Sequence, residues 1–396
     1  MKITRRILLS LAFGSAALLL FAMNTPSRPP KDNSSLIYVG TYTQKTQSKG
    51  IYAFKFDADT GKLTPQGLAA ESVNPSFVAV HPSGKYLYAV NEAAVTDDGK
   101  HGGVSAFAID PQTGKLTFLN EVSSLGVDPC FISFDKTGKF ALVANYSSGD
   151  VAVFPVLEDG KVGKAAAFLK DEGKLGPNTK RQEGPHAHFI ETSANNHFAY
   201  VSDLGLDRIL IYKFDQTKGT LERADSNASD SFSAVLAPGT GPRHLVFSGN
   251  GDFMYVLGEM GSTVTVIANV SRERYRAVQS ISTLPPKFSG RNDAAEIVLH
   301  PSGKFLYTSN RGEDTIAIFS VDQKTGKLTH IRNVPTGGKE PRHFTLDPSG
   351  KFLLAENQLS DSIKVFRVDP ATGNLSPLPE TASVPSPICL VFLNQK

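Results

Sequence analysis

Arginine, histidine and glutamate stand at the two ends of one short predicted hairpin. The segment "GPRHLVFSGNGDFMYVLGE" begins with Arg243 and His244 and closes with Glu259, and two apolar runs joined by a turn separate them. A hairpin brings its two ends together, so Arg243 and Glu259 should meet. A guanidinium fork binds carboxylate or phosphate groups, and a glutamate or histidine beside it can move protons. Such a set suits the attack of water on the carbonyl group of an anionic substrate.

This hairpin is one copy of a unit that repeats about every fifty residues. One turn recurs as "HPSGKYLY", "DKTGKFAL", "SANNHFAY", "SGNGDFMY", "HPSGKFLY" and "DPSGKFLL". A second turn recurs from "DADTGKLT" to "DPATGNLS". Alternating apolar runs flank both turns, which predicts four strands in each unit.

Seven units fit the chain, and four-stranded units of this length are typical of propeller blades. The first unit lacks its innermost strand, whereas the last, "PICLVFL", contains only that strand. We therefore predict an all-β fold, a seven-bladed propeller in one domain over residues 34–396. The C-terminal strand would join the N-terminal blade and close the ring, which removes the exposed sheet edges.

Further polar residues align with Arg243 and Glu259 when the repeats are superposed on the first turn. They should lie at the same mouth of the central channel, and this composition is typical of a polar ligand pocket. The aligned candidates are His188, Arg342, Glu92, Arg311, Asn145 and Asn357. Asparagine at a strand end also commonly binds the backbone of a turn, so a structural role for the asparagines remains open.

A polar insertion, residues 173–188, precedes the third complete repeat and ends at His186 and His188. Its end enters the innermost strand, so it should reach the channel mouth, with Arg181 as a candidate contact. His244 and His343 follow the arginines and should alternate to the opposite side of the strand. We expect those two histidines to pack between blades.

The overall composition excludes several kinds of partner. Lysine and arginine number 41 and aspartate and glutamate 38, which gives no reason to expect a nucleic-acid partner. Cys130 and Cys389 fall on strands of non-adjacent blades, which argues against a disulfide and against a cysteine metal site. We expect a monomer that binds a small molecule.

The N-terminus predicts export. Lys2, Arg5 and Arg6 precede an apolar run, residues 7–22, and a proline-rich linker follows. We interpret residues 1–33 as an export signal with its linker, which places the protein in the periplasm or outside the cell. An uncleaved N-terminal anchor is the alternative, and no stable membrane span is expected once the signal is removed.

These motifs resemble those of the lactonase family of seven-bladed propellers, which includes bacterial 6-phosphogluconolactonases and fungal carboxy-muconate cyclases. The resemblance covers residues 36–392 and is most specific in "YVGTYT", "RQEGPHAH", "GPRH", "AAEIVLHPSGKFLYTSNRG" and "PRHF". It implies a cleft at one channel mouth where a histidine, a glutamate and two arginines act on a lactone.

Matched motif by motif, the resemblance implies that Arg243, Glu259 and Arg311 are catalytic. The histidine falls in "PHAH", where we favour His186 over His188. Contacts to the substrate would come from His188, Arg342, Glu92, Asn145, Asn357 and Arg181. Hydrolysis of 6-phosphogluconolactone belongs to cytosolic sugar metabolism, whereas the N-terminal segment predicts export. Whether the substrate is phosphorylated therefore remains open.

The expected activity is hydrolysis of a sugar-acid lactone, with water attack assisted by Glu259 or His186. Two alternatives use the same residues: a non-hydrolytic muconate-type cyclase or isomerase, and a binding propeller without catalysis, since the fold carries no function by itself. No cofactor is required by the hydrolytic scheme. Calcium bound by the asparagine and acidic ring is the less favoured variant.

Overall fold

The alternating runs of the sequence form β-strands, which the computed structural model of the chain describes for residues 33–95, 99–224, 233–271 and 274–393. Apart from Asn33, the predicted export segment lies outside these residues. The described part of the chain contains twenty-nine strands, numbered along the chain, in seven sheets. The prediction of an all-β, seven-bladed propeller is confirmed.

Each sheet is one blade. Its main strands lie side by side, from the innermost strand at the channel to the fourth strand, which is farthest from it. The innermost strands are β4 (Pro75–Val80), β8 (Pro129–Phe134), β12 (Ala187–Thr192), β17 (Pro242–Phe247), β21 (Asp293–Leu299), β25 (Pro341–Leu346) and β29 (Pro387–Phe392). The second strands are β5 (Tyr86–Asn91), β9 (Phe140–Asn145), β13 (Phe198–Asp203), β18 (Phe253–Gly258), β22 (Phe305–Arg311), β26 (Phe352–Asn357) and β1 (Ser34–Thr41).

The outer half of each blade follows the same order. The third strands are β6 (Gly103–Ile109), β10 (Asp150–Pro155), β14 (Arg208–Asp215), β19 (Thr263–Ser271), β23 (Thr315–Val321), β27 (Ser362–Val368) and β2 (Gly50–Asp57). The fourth strands are β7 (Leu116–Ser123), β11 (Ala167–Lys170), β15 (Thr220–Arg223), β20 (Arg274–Ser282), β24 (Leu328–Pro335), β28 (Leu375–Ser383) and β3 (Leu63–Glu71). The blade that begins with β12 also has a short strand, β16 (Ser233–Val235), which pairs with the first half of β14.

The C-terminal strand closes the ring as predicted. Strand β29 pairs antiparallel with β1, with Ile37 opposite Phe392 and Val39 opposite Leu390. Consecutive innermost strands contact one another around the whole circle, including β29 against β4. No helix within the described segments has the length and apolar character needed to cross a membrane.

The second repeated turn fits each blade to its neighbour. Gly219, in the turn between β14 and β15, has a φ of +70° and lies against the ring of Phe140 on the preceding blade. A Cβ on Gly219 would come within 2.4 Å of that ring, and one on Gly326 equally close to Phe253. The glycine of the repeated turn is therefore required both by its left-handed backbone and by the packing between blades.

A β-bulge interrupts every innermost strand close to its first residue. In β17, Pro242 pairs with Gly258 and Leu245 pairs with Val256. Arg243 and His244 therefore together oppose a single residue of β18. The same irregularity occurs in β4, β8, β12, β21, β25 and β29. A bulge re-aims the side chains beside it, so strict alternation fails at this end of the channel.

Candidate active site

Three arginines surround one buried glutamate at the channel mouth. The Oε2 atom of Glu259 lies 3.2 Å from Nε of Arg243 and 3.0 Å from Nη2 of Arg311. The Oε1 atom accepts a hydrogen bond from Nη2 of Arg181 at 2.5 Å. Glu259 is 5% exposed and Arg243 4%. The predicted meeting of Arg243 and Glu259 therefore occurs, and two further arginines join it.

Neighbouring strands hold this cluster in place. Arg243 lies at the bulge of β17, and Glu259 follows the last residue of β18. Arg311 ends β22 of the next blade, where its Nε donates to the carbonyl oxygen of Asp293 at 3.2 Å. The N–H of Ala294 donates to the Glu259 carbonyl at 3.0 Å. The ion pairs and the backbone thus join the same two blades.

Electrostatics keep the cluster ionised at neutral pH. Burial alone would raise the pKa of Glu259, but Arg311, Arg243 and Arg181 outweigh it and lower this pKa to about 2. Burial, together with the charges of Arg311 and Arg342, lowers the pKa of Arg243 to about 10. Because three guanidinium groups face one carboxylate, positive charge remains for an anionic ligand.

Arg181 reaches the cluster from the insertion between β11 and β12. Its Nη1 lies 3.4 Å from Oδ1 of Asp293, and its Nη2 lies 3.5 Å from the hydroxyl of Tyr146. The next residue, Gln182, is buried and donates to the carbonyl oxygen of Leu204 at 2.9 Å. The insertion is thus anchored beside Arg181 itself, which covers Glu259 from the solvent side with 32% of its side chain exposed.

His186 is linked to this cluster through Tyr146, whose hydroxyl lies beside Arg181. Its Nδ1 lies 3.0 Å from the carbonyl oxygen of Tyr146, which can only accept, so Nδ1 carries a hydrogen. The imidazole stacks on the Tyr146 ring with centroids 4.6 Å apart. In the neutral tautomer Nε2 is then unprotonated. This atom is buried without a hydrogen-bond partner, and Oε1 of Glu183 lies 3.3 Å from it.

His188 lies deeper and in a different environment. Its Nδ1 lies 3.7 Å from Sγ of Cys130, and its ring contacts those of Tyr146 and His244. Burial, then the charges of Arg243, His244 and Arg342, lower its pKa well below the usual value. His188 is therefore neutral at physiological pH, and it lines the channel below the Glu259 cluster.

Glu92 and Arg342 both contact Tyr42 at the mouth. The Tyr42 hydroxyl lies 2.9 and 3.0 Å from the two carboxylate oxygens of Glu92. The guanidinium of Arg342 lies over the Tyr42 ring, 5.4 Å from its centroid. Burial raises the pKa of Glu92, although Arg342 and hydrogen bonds from Ser76 and Tyr42 oppose it.

The two predicted asparagines lie inside their blades instead of lining the cluster. Asn145 is fully buried, and its Nδ2 donates to Oδ1 of Asp150 at 2.7 Å and to the carbonyl oxygen of Ser124 at 3.2 Å. Asn357 donates to the carbonyl oxygen of Thr336 at 3.5 Å. Both side chains bind the segment that leads into the innermost strand, which is the structural role left open above.

A chain of histidines and glutamates occupies the channel, and it differs from the expectation for His244 and His343. The Nδ1 of His244 lies 3.0 Å from Oε2 of Glu296, and Nε2 of His343 lies 3.5 Å from the same oxygen. The Nδ1 of His343 lies 2.6 Å from Oε2 of Glu356. His244 also contacts Phe131 across the channel, so these histidines do not pack between blades. The bulges explain the difference, because they allow consecutive residues to face the channel.

The sequence reasoning missed Glu296, Glu356, Tyr42 and Tyr146. In the superposed repeats, the position after Arg243 is occupied by Glu296, His244 and His343 among aromatic residues. Comparing this position across the repeats would have identified Glu296. Tyr146 occupies the same position in its repeat as Glu259 does in its own, but the contact of its ring with His186 depends on the fold.

The donor set around Glu259 does not fit a divalent cation, because its oxygens already face three guanidinium groups. Within the described segments no three His, Cys, Asp or Glu side chains are grouped so that they could hold a metal ion. A large cavity of about 990 Å³ lies at the other end of the innermost strands, where residues 248–251 and 300–303 line it. None of the predicted site residues lines that cavity, so it is separate from this cluster.

Comparison with known proteins gives matches over most of the chain. The family model described as "Lactonase, 7-bladed beta-propeller" matches residues 36–392. The chain is 38% identical to the 6-phosphogluconolactonase of Bacillus subtilis over 90% of this chain and 98% of that protein. It is 36% identical to the 6-phosphogluconolactonase of Formosa agariphila over 78% and 85% of the two chains.

A solved structure shows the same likeness in three dimensions. The periplasmic gluconolactonase of Pseudomonas aeruginosa superposes with a TM-score of 0.82 at 33% identity, covering 91% of this chain and 99% of the other. The family match spans all seven blades and both ends of the closed ring. The chain therefore belongs to the lactonase family of seven-bladed β-propellers.

Proposed function

We propose that the protein hydrolyses the lactone of a sugar acid at the channel mouth that holds Glu259. The observation that carries this proposal is the convergence of Arg181, Arg243 and Arg311 on one buried carboxylate beside His186. Relatives named 6-phosphogluconolactonase and gluconolactonase support the same reaction class.

His186 is the general base in this proposal. Its Nδ1 hydrogen is held by the Tyr146 carbonyl, so Nε2, which is buried without a hydrogen-bond partner, is the atom that takes a proton from a water molecule bound with the substrate. The hydroxide adds to the lactone carbonyl, and the ring C–O bond then breaks. The departing alkoxide takes the proton back from Nε2, and the product is the hydroxy acid.

The arginines stabilise the negative charge that develops on the carbonyl oxygen. Arg243 and Arg311 are each held by a backbone carbonyl as well as by Glu259, so their guanidinium planes are fixed before the substrate arrives. Glu259 is a weak base, because its pKa is about 2. Its role is to hold the three arginines at one point.

The substrate class follows from the charge of the mouth. Excess positive charge at the cluster, with Arg342 beside Glu92 as a second cation, suits a polyhydroxylated lactone that becomes a carboxylate and can also carry phosphate. If Arg342 binds phosphate, Arg342→Gln should raise KM far more for 6-phosphogluconolactone than for gluconolactone. Equal effects on the two substrates would place the phosphate elsewhere.

The decisive experiment is pH-stat hydrolysis of gluconolactone and 6-phosphogluconolactone by the full chain, carried out in water enriched in ¹⁸O. Both lactones hydrolyse spontaneously, so rates are compared with those of His186→Gln and of a matched control, His197→Gln, whose side chain is exposed. A rate that only His186→Gln abolishes, with ¹⁸O in the new carboxylate, supports the proposal. Conversion without ¹⁸O would indicate an isomerase, and binding without conversion a binding propeller.

Three further expectations complete the proposal. Hydrolysis should survive EDTA, because the scheme needs no metal. Residues 1–33 direct export, which cell fractionation of the full chain and of a chain lacking them would test. The protein should be a monomer by light scattering.

A further inference from the structure

Two buried carboxyl groups join the two ends of the segment that carries Arg181. Asp171 follows β11 and opens this segment, residues 171–186, which we call the strap. Asp203 ends β13, and its Oδ1 accepts the backbone N–H of His186, the last residue of the strap, at 3.0 Å. Asp171 is 1% exposed and Asp203 0%.

The two carboxyl groups interact directly, and each acts on the charge of the other. Oδ1 of Asp171 accepts from the hydroxyl of Tyr212 at 2.6 Å, and Oδ1 of Asp203 also accepts the N–H of Leu206 at 2.9 Å. Within the described part of the chain, the two Oδ2 atoms are buried and find no donor. Two ionised carboxylates would repel each other there, whereas one shared proton would give both carboxyl groups a partner.

The surrounding donors indicate which residue carries the proton. Backbone N–H groups stabilise a carboxylate, and Asp203 receives two of them, so Asp203 is the ionised partner. Burial, followed by the charge of Asp203, raises the pKa of Asp171 well above its usual value, although the Tyr212 hydrogen bond opposes this. Burial also raises the pKa of Asp203, against the hydrogen bonds from His186, Asp171 and Leu206.

We propose that Asp171 and Asp203 share one proton and that this proton holds the strap closed over Glu259. Asp171 and Asp203 are then positioning residues: they act through the strap, which carries Arg181 to Glu259 and His186 to Tyr146. Loss of the proton at alkaline pH would place two negative charges in contact and open the strap. The consequence for turnover rests on the proposed function, whereas the shared proton does not.

Other ionisable groups surround the pair and act on its charge. Asp150, at the start of β10, adds negative charge near Asp171 and makes the loss of its proton harder. From the strap, the backbone N–H of His186 lowers the pKa of Asp203. Arg223, on β15, acts on Tyr212 and pairs with the exposed Glu172. His186 contacts Asp203 through its backbone N–H and Arg223 pairs with Glu172, so a proton remains the group that bridges the two carboxyls.

The first test measures unfolding of the full chain by denaturant from pH 4 to pH 8, for wild type and Asp171→Asn. The asparagine amide donates to Asp203 at every pH and still accepts from Tyr212. The folded wild type keeps a proton that the unfolded chain releases above about pH 4. Its unfolding constant should therefore rise relative to the variant by up to roughly tenfold per pH unit. Parallel curves for the two proteins would overturn the shared proton.

The second test measures the strap directly, by trypsin cleavage after Lys174 and Lys180 between pH 7 and pH 9, with rates corrected for the pH dependence of trypsin on a peptide. Both lysines are exposed. Cleavage of wild type should rise with pH, whereas Asp171→Asn should stay protected. Tyr212→Phe removes a donor that favours the ionised form of Asp171. The rise in the cleavage rate of this variant should therefore shift to higher pH.

The same experiment separates the two proposals. Identical cleavage profiles in wild type, Asp171→Asn and Tyr212→Phe would refute the role of the pair even if the protein hydrolyses lactones. Profiles that follow the pair in a protein without lactonase activity would leave the strap proposal standing and remove the proposed function. Tyr212→Phe keeps the test available if Asp171→Asn does not fold.

Discussion

The Nε atom of Arg243 and the Nη2 atom of Arg311 reach the same carboxylate oxygen of Glu259, at 3.2 and 3.0 Å. Arg243 and Glu259 belong to one hairpin, whereas Arg311 ends the second strand of the next blade. One buried oxygen therefore joins two blades at the mouth and sets the position of both guanidinium groups. A change at Glu259 should affect stability and activity together.

Replacement of Glu259 by glutamine leaves three arginines around a neutral side chain. Removing one partner of a buried ion pair typically costs about 3–5 kcal/mol, so we expect a loss of unfolding free energy of that order. Denaturant unfolding and initial hydrolysis rates measure the two effects. The control is Glu191→Gln, whose ion pair with Lys136 is about a third exposed and should matter by less than about 1 kcal/mol. Equal losses in the two variants would contradict this account of the cluster.

Acid should weaken the protein through Glu259. Its pKa is lowered to about 2 in the folded chain, whereas an unfolded glutamate titrates near pH 4.3, at about the model-peptide value. A lowered pKa stabilises the fold above the unfolded value, and this stability is lost as the pH falls toward 2. The gap in unfolding free energy between wild type and Glu259→Gln should therefore shrink between about pH 4.3 and pH 2. A gap that stays constant over that range would mean that Glu259 does not titrate in this way.

Replacement of His186 by glutamine should lower kcat by roughly 10²–10⁴-fold, the usual contribution of a general base. Stability should change little, because a glutamine nitrogen can still donate to the Tyr146 carbonyl. Steady-state kinetics with both lactones measure the effect. The same substitution at His188 tests the choice between the two histidines: a larger loss of kcat there, with folding intact, would transfer the base role to His188.

The buried histidine His343 should titrate above its ordinary range because of Glu356. Burial lowers the pKa of His343, but the charge and hydrogen bond of Glu356 outweigh burial and raise it. The stability that this pair contributes is present below about pH 6.5 and lost as the pH rises through the folded pKa. In Glu356→Gln the ring should titrate at lower pH than in wild type, as followed by NMR of the histidine ring. An unchanged titration would show that another group, such as Glu296, holds the proton on His343.

Much of the fold was predictable because it is local and repeated. Each turn needs glycine and short polar residues, each strand alternates, and the unpaired strands at the two chain ends predicted the closure of β29 on β1. The partnership of Arg243 with Glu259 followed from hairpin geometry alone. The position of Arg311 followed from its place in the repeat.

The sequence by itself determined the number of blades, the closed ring and which residues gather at one mouth, because these depend on hydrophobic periodicity and turn chemistry. Only the tertiary structure decided which side chains face the channel, because a β-bulge in each innermost strand overrides alternation and turns His244 and His343 inward with Glu296. It also decided that Asn145 and Asn357 bind backbone and that Asp171 meets Asp203. Those contacts join segments distant in sequence, and their geometry comes from the packing of whole blades.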